Sequence, residues 1–145
     1  MPGSSPGITK RESGGMTLQP NGFLRIGETD LEYRMLGPSP EDAPTIVMLH
    51  EGLGSAALWG DFPEQLQAAT GAGVFVYSRA GYGASSPVKL PRPLDYMHRE
   101  ALDVLPQLLA RIGFRRGLLL GHSDGGSIAS LRRRSAGHHQ PIPRY

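Results

Sequence analysis

Three short segments of this chain read as unbroken apolar runs: 45–50 (TIVMLH), 73–78 (GVFVYS) and 118–121 (LLLG). A strand with one wet face alternates, whereas a strand covered on both faces does not. Three such runs therefore demand a parallel sheet between two layers of helix. The connecting segments fit. Residues 61–70 offer Asp61 as a helix N-cap, Pro63 in the first turn, and Leu66 and Ala69 on one face. Residues 95–112 carry a helical stripe of Leu102, Leu105, Leu108, Leu109 and Ile112, with Gly113 as a C-cap. Pro106 lies inside that stripe and should kink the helix or start a new one after Leu105.

Ahead of the first run the pattern is different. Leu31, Tyr33 and Met35 alternate with Glu32 and Arg34, as in a half-buried strand. Phe23, Leu24 and Ile26 supply a partner strand, with the turn at residues 27–29. A hairpin followed by strand, helix, strand, helix and strand is an α/β arrangement with right-handed crossovers.

The length of 145 residues allows one core and not comfortably two. No apolar run is long enough for a membrane span, and no apolar segment follows the basic pair near the start, so neither a membrane nor a secretory protein is expected. The absence of cysteine excludes disulfides and thiolate metal sites, and is compatible with a cytoplasmic location. No metal and no cofactor is expected. Residues 1–16, rich in Gly, Ser and Pro, should be disordered. The charge is uneven. Up to residue 127 there are 11 basic and 13 acidic residues, while Arg132, Arg133, Arg134 and Arg144 follow with no acid. Without stacking aromatics, residues 131–145 read as an irregular solvated tail, and neither nucleic acid nor membrane is expected as a partner.

The feature that carries chemistry is Gly121-His122-Ser123-Asp124-Gly125, a G-x-S-x-G sequence between an apolar strand and a helix. Such a turn is so tight that side chains two residues either side of the serine would collide, and the serine itself is strained. The hydroxyl is then exposed at the carboxyl edge of the sheet. The N–H of Asp124, at a helix N-terminus, can face a developing oxyanion. A second Gly-rich loop, His50-Glu51-Gly52-Leu53-Gly54-Ser55, follows the first apolar run. It can offer another inward N–H from Gly52, with Leu53 the neighbouring alternative. His50 could be a base, but its place at a strand end favours a loop-holding role. Glu51 would oppose a nearby oxyanion, so it should point away or meet a cation. In 77–85 (YSRAGYGAS), Arg79 should tie loops together.

The segments 49–55 (LHEGLGS), 58–63 (LWGDFP), 77–86 (YSRAGYGASS) and 121–129 (GHSDGGSIA) together resemble the α/β-hydrolase superfamily, in its cofactor-free serine hydrolases. The resemblance covers 22 to about 130, within a domain of 17–130. It implies a partial α/β-hydrolase sheet, an N-terminal hairpin followed by parallel strands with crossover helices. It also implies acyl transfer on an ester-like carbonyl, with Ser123 as nucleophile, the N–H groups of Gly52 and Asp124 as oxyanion hole, and His50, Gly121, His122 and Gly125 in support. Serine at 123, where some relatives carry aspartate, speaks against dehalogenase or epoxide-hydrolase chemistry. The family's acid and histidine come after the serine. Here only Asp124, His138 and His139 follow it. The chain thus reads as about the first half of a domain, truncated after the elbow and inactive alone, with a small-molecule substrate once completed. The alternatives are a non-catalytic module using the open sheet edge or the basic tail, self-association through that edge, and a second chain that supplies acid and histidine.

Overall fold

The computed structural model describes residues 8–10 and 16–136. Two short strands, β1 (Ile8–Lys10) and β2 (Met16–Leu18), pair antiparallel. The remainder of the segment expected to be disordered lies outside the described residues, as do residues 137–145 of the expected tail.

The main sheet has five strands: β3 (Asn21–Ile26), β4 (Thr29–Leu36), β5 (Thr45–Leu49), β6 (Gly73–Tyr77) and β7 (Gly117–Gly121), in the order β3-β4-β6-β5-β7. The β3–β4 hairpin turns at Gly27, whose φ of 61° suits glycine. β4 runs antiparallel to β6, while β6, β5 and β7 are parallel. The expected sheet of a hairpin plus parallel strands is present as a mixed sheet.

The unbroken apolar runs of β5 and β6 are explained by two cores. Val47, Leu49, Phe75 and Tyr77 face one cluster with Leu105, Leu108, Ile112 and Ile128. Ile46, Met48, Val74 and Val76 face another with Leu66 and Trp59. Alternate residues thus enter opposite layers, and each is apolar. Helix α1 (Phe62–Thr70) covers the second face. A helical stretch formed by α2 (Tyr96–Arg99), a π-helical segment over Glu100–Val104 and α3 (Leu105–Ile112) covers the first, together with α4 (Asp124–Ala136).

Several expectations are corrected in detail. Ala69 is exposed, so Leu66 and buried Pro63 carry the contact of α1. Asp61 takes the N-cap position, yet its carboxylate accepts from the Gln65 side chain and bonds no helix N–H. Leu102 is 45% exposed, and Ala101 takes its place in the stripe. The cause is the π-helical segment, which rotates the face by widening one turn just before Pro106, whose ring nitrogen donates nothing. The third apolar run is not buried on both faces: Leu118 is 52% exposed, and β7 is the edge strand of the sheet among the described residues. Finally, α4 continues through Arg132, Arg133 and Arg134 to Ala136 instead of ending near residue 131. Arginine is a good helix former, and cations suit a helix C-terminus.

Candidate active site

β5 has β6 on one side and β7 on the other. Chain connections diverge there, and the carboxyl ends of β5 and β7 meet in the crevice where α/β sheets take ligands. Residues 50–55 and 121–125 occupy those two ends.

The elbow has the strain its sequence implies. Ser123 is exposed and is the one non-glycine residue among those described with positive φ, at 55°. A Cβ on Gly121 would begin 2.3 Å from the Gly125 carbonyl, and one on Gly125 would begin 2.0 Å from the Leu49 oxygen. Both neighbours are backbone and cannot step aside. His122 N–H donates to Leu49 O at 3.1 Å, which laces the elbow to the end of β5. Asp124 opens α4, so its N–H lies at the orphan end of a 13-residue helix. Ser123 opens onto a groove of about 510 Å³ along α4, bordered by Ser127, Ser130 and Arg134.

The loop after β5 makes a turn in which Gly54 N–H donates to Glu51 O at 3.0 Å. Gly52 lies against the elbow: a Cβ there would begin 2.6 Å from Asp124 Oδ2. Leu53 is 89% exposed. His50 is buried, with both ring nitrogens engaged. Arg79 N–H donates to Nε2 at 2.9 Å, so the proton is on Nδ1, which donates to Glu51 O at 2.6 Å. Burial lowers the pKa of His50 to about 4, so the ring is neutral near pH 7. The Arg79 guanidinium, also buried, donates to His50 O at 2.5 Å and Glu51 O at 3.2 Å. Arg79 therefore ties the loop after β6 to the loop after β5, as the sequence suggested.

His122 is exposed, and its Nδ1 stands 4.0 Å from Glu51 Oε2. Glu51 thus points to an imidazole that is a cation only when protonated. These two residues border a small cavity of about 40 Å³, closed by His50, Ser55, Leu58 and Trp59.

One residue escaped the sequence reading. The Tyr96 hydroxyl donates to Asp124 Oδ2 at 2.5 Å. That hydrogen bond, ahead of burial, raises the phenol's pKa above its usual value. Tyr96 belongs to no motif and to no apolar stripe, so no local signal marked it.

The site residues are thereby brought to two adjacent loops, with Gly121, Ser123, Asp124 and Gly125 on one and His50 and Gly52 on the other. The described residues after Asp124 hold no histidine and no acid. No helix among them is long and apolar enough to cross a membrane.

The comparisons agree with this architecture. Residues 46–142 match the model of the alpha/beta hydrolase family. A proline iminopeptidase, PfmaB of Pestalotiopsis fici, is 29% identical over 109 residues, covering 74% of this chain and 36% of that protein. The proline iminopeptidase of Lactobacillus helveticus is 31% identical over 99 residues, covering 68% and 33%. In structure, a Pseudomonas aeruginosa protein described as a candidate epoxide hydrolase superposes with a TM-score of 0.65 at 19% identity, covering 81% of this chain and 38% of that one. At that identity the likeness concerns fold alone. The chain spans about a third of the length of these relatives, less than the half expected from the motifs. With the family's sheet, elbow and loop order all in place, the chain belongs to the alpha/beta hydrolase family.

Proposed function

We propose that this chain is the nucleophile-bearing part of a serine hydrolase that cleaves an ester-like or amide carbonyl by acyl transfer. The observation that carries this reading is the exposed Ser123 at positive φ between two glycines packed on backbone. Strain of this kind costs on the order of 1–3 kcal/mol and persists where the surroundings enforce it. The relatives named proline iminopeptidases favour an acyl group that can belong to a peptide.

In this mechanism the Ser123 oxygen forms a bond to the carbonyl carbon while its proton passes to a base. The N–H groups of Gly52 and Asp124 receive the oxyanion, helped by the dipole of α4. The tetrahedral centre then expels the leaving group, and water releases the acyl group. No described residue is placed to act as that base. An unassisted serine is a weak nucleophile, because its pKa lies far above neutrality. Oxyanion stabilisation and binding alone leave roughly 10³–10⁴ over water, and an intact triad adds about 10⁶. The 145-residue chain should therefore be slow by itself.

A fluorophosphonate provides the test, because it reacts with a serine held by an oxyanion hole. Slow labelling mapped to Ser123 and lost in Ser123→Ala is the expected result. Labelling that survives Ser123→Ala, or none at all, overturns the reading. A second reading, an interaction module, draws on the outer edge of β7, which pairs with no strand among the described residues. It predicts association that grows with protein concentration in sedimentation velocity, independent of Ser123.

A further inference from the structure

Asp124 has two parts with separate tasks. Its backbone N–H is a candidate oxyanion donor, and its carboxylate is a full charge close to where a negative transition state would form. An ionised group so placed opposes the reaction unless its position is fixed and its charge is shared. A carboxylate on the first residue of a helix is also free to turn back towards the orphan N–H groups of its own first turn. In this structure it does neither unaided, because Oδ2 accepts the Tyr96 hydroxyl at 2.5 Å. The same Oδ2 lies against the other candidate donor, since a Cβ on Gly52 would begin 2.6 Å away.

Tyr96 is itself held from several sides. Arg92 lies over the Tyr96 ring at 5.5 Å and over the Tyr82 ring at 4.8 Å. Arg92 also donates to Ala80 O at 3.1 Å. Tyr82 packs edge-on against His50 at 4.8 Å. The phenol is thus fixed relative to the loops that follow β5 and β6, and reaches the elbow from a third segment of chain.

We propose that Tyr96 is a positioning residue for the oxyanion hole, holding the Asp124 carboxylate against Gly52 so that the N–H groups of Gly52 and Asp124 keep a constant separation and stay open to a substrate oxygen. This rests on the serine-hydrolase reading above. The raised phenol pKa keeps the hydroxyl a donor throughout the physiological range. Arg79, Arg92 and Tyr82 are the other titratable groups around it, and a cationic neighbour that favours tyrosinate does not displace the carboxylate's larger opposite effect.

The test uses the full 145-residue chain with Tyr96→Phe, Asp124→Asn and the double variant. Two quantities are read: the rate at which a neutral fluorophosphonate labels Ser123, and the tyrosinate absorbance against pH, isolated for Tyr96 by subtracting the Tyr96→Phe curve. A hydrogen bond to a charged acceptor predicts roughly 10- to 100-fold slower labelling in Tyr96→Phe. Melting temperature should stay near wild type, since the ring and its Arg92 contact remain. Asp124→Asn should move the phenol's titration down towards that of an ordinary tyrosine, and the double variant should label no more slowly than the slower single one. Wild-type labelling by Tyr96→Phe, additive losses in the double variant, or a phenol titration indifferent to Asp124→Asn would each overturn the proposal. Asp124→Asn alters the other partner and decides the matter where Tyr96→Phe fails to fold. Absence of Ser123 labelling in the wild type overturns the hydrolase reading and this role with it, whereas an indifferent phenol titration beside normal labelling overturns the role alone.

Discussion

β6 and β7 are both five-residue strands, and both are paired in parallel with β5. β6 is bonded on its other side to β4, and every one of its residues is buried. Among the described residues β7 has no partner strand on its other side, and Leu118 and its neighbours remain partly or largely exposed. The difference lies outside the two strands. An apolar run states that a strand wants cover on both faces, and neighbouring elements decide whether it receives it. Buried area, and with it stability, should be concentrated in β5 and β6.

The largest expected effect sharpens this contrast. Phe75, wholly buried in β6 and stacked on Tyr33 at 5.3 Å, should cost about 3–5 kcal/mol as Phe75→Ala. Leu118→Ala in β7 should cost no more than about 0.5 kcal/mol in the same urea titration. Equal losses would break the comparison, and would mean that something covers β7 in solution.

Acid probes the interior strand ends next. The folded chain refuses a proton at His50 until about pH 4, whereas an unfolded histidine accepts one near 6.5. The unfolded state therefore binds more protons between those values. Stability from this group is fully present above about pH 6.5 and is lost as pH falls towards 4, by about 3 kcal/mol at most. Burial raises the carboxyl of Glu100, which works in the opposite sense, its contribution being lost as pH rises. Urea midpoints across this range for wild type and His50→Gln separate the two, since only the wild type should carry the acid-side loss due to His50.

A smaller effect belongs to the joint between interior and edge. Gly125→Ala places a methyl 2.0 Å from the Leu49 carbonyl and should cost about 1–3 kcal/mol in thermal unfolding. A neutral result would show that α4 can drift from β5. Smallest in stability is Leu118→Lys, within about 0.5 kcal/mol. Its expected effect is on association: a charge on an open edge should weaken any concentration-dependent dimer in sedimentation velocity.

These contrasts also show what a sequence can disclose. Leu31, Tyr33 and Met35 are buried as their alternation requires, and both glycines of the elbow meet backbone where side chains would. Such features are local, because spacing alone encodes them. The pairing of β4 with β6 joins residues some forty positions apart and leaves no mark in either strand. The exposure of Leu102 and Leu118 likewise depends on context, on a π-helical turn for the first and on an edge position among the described strands for the second. Tyr96 was hidden for the same reason, its partner lying 28 residues away with nothing in the intervening pattern to announce it.

The backbone of Ser123 has one more consequence. At a φ of 55° glycine is the most comfortable occupant, and Ser123→Gly should relax the turn by roughly 1 kcal/mol. Directed evolution of this chain for heat resistance alone would thus drift towards glycine at residue 123 and discard the hydroxyl. A library meant to harden the protein without erasing its chemistry has to fix that codon before the first round of selection.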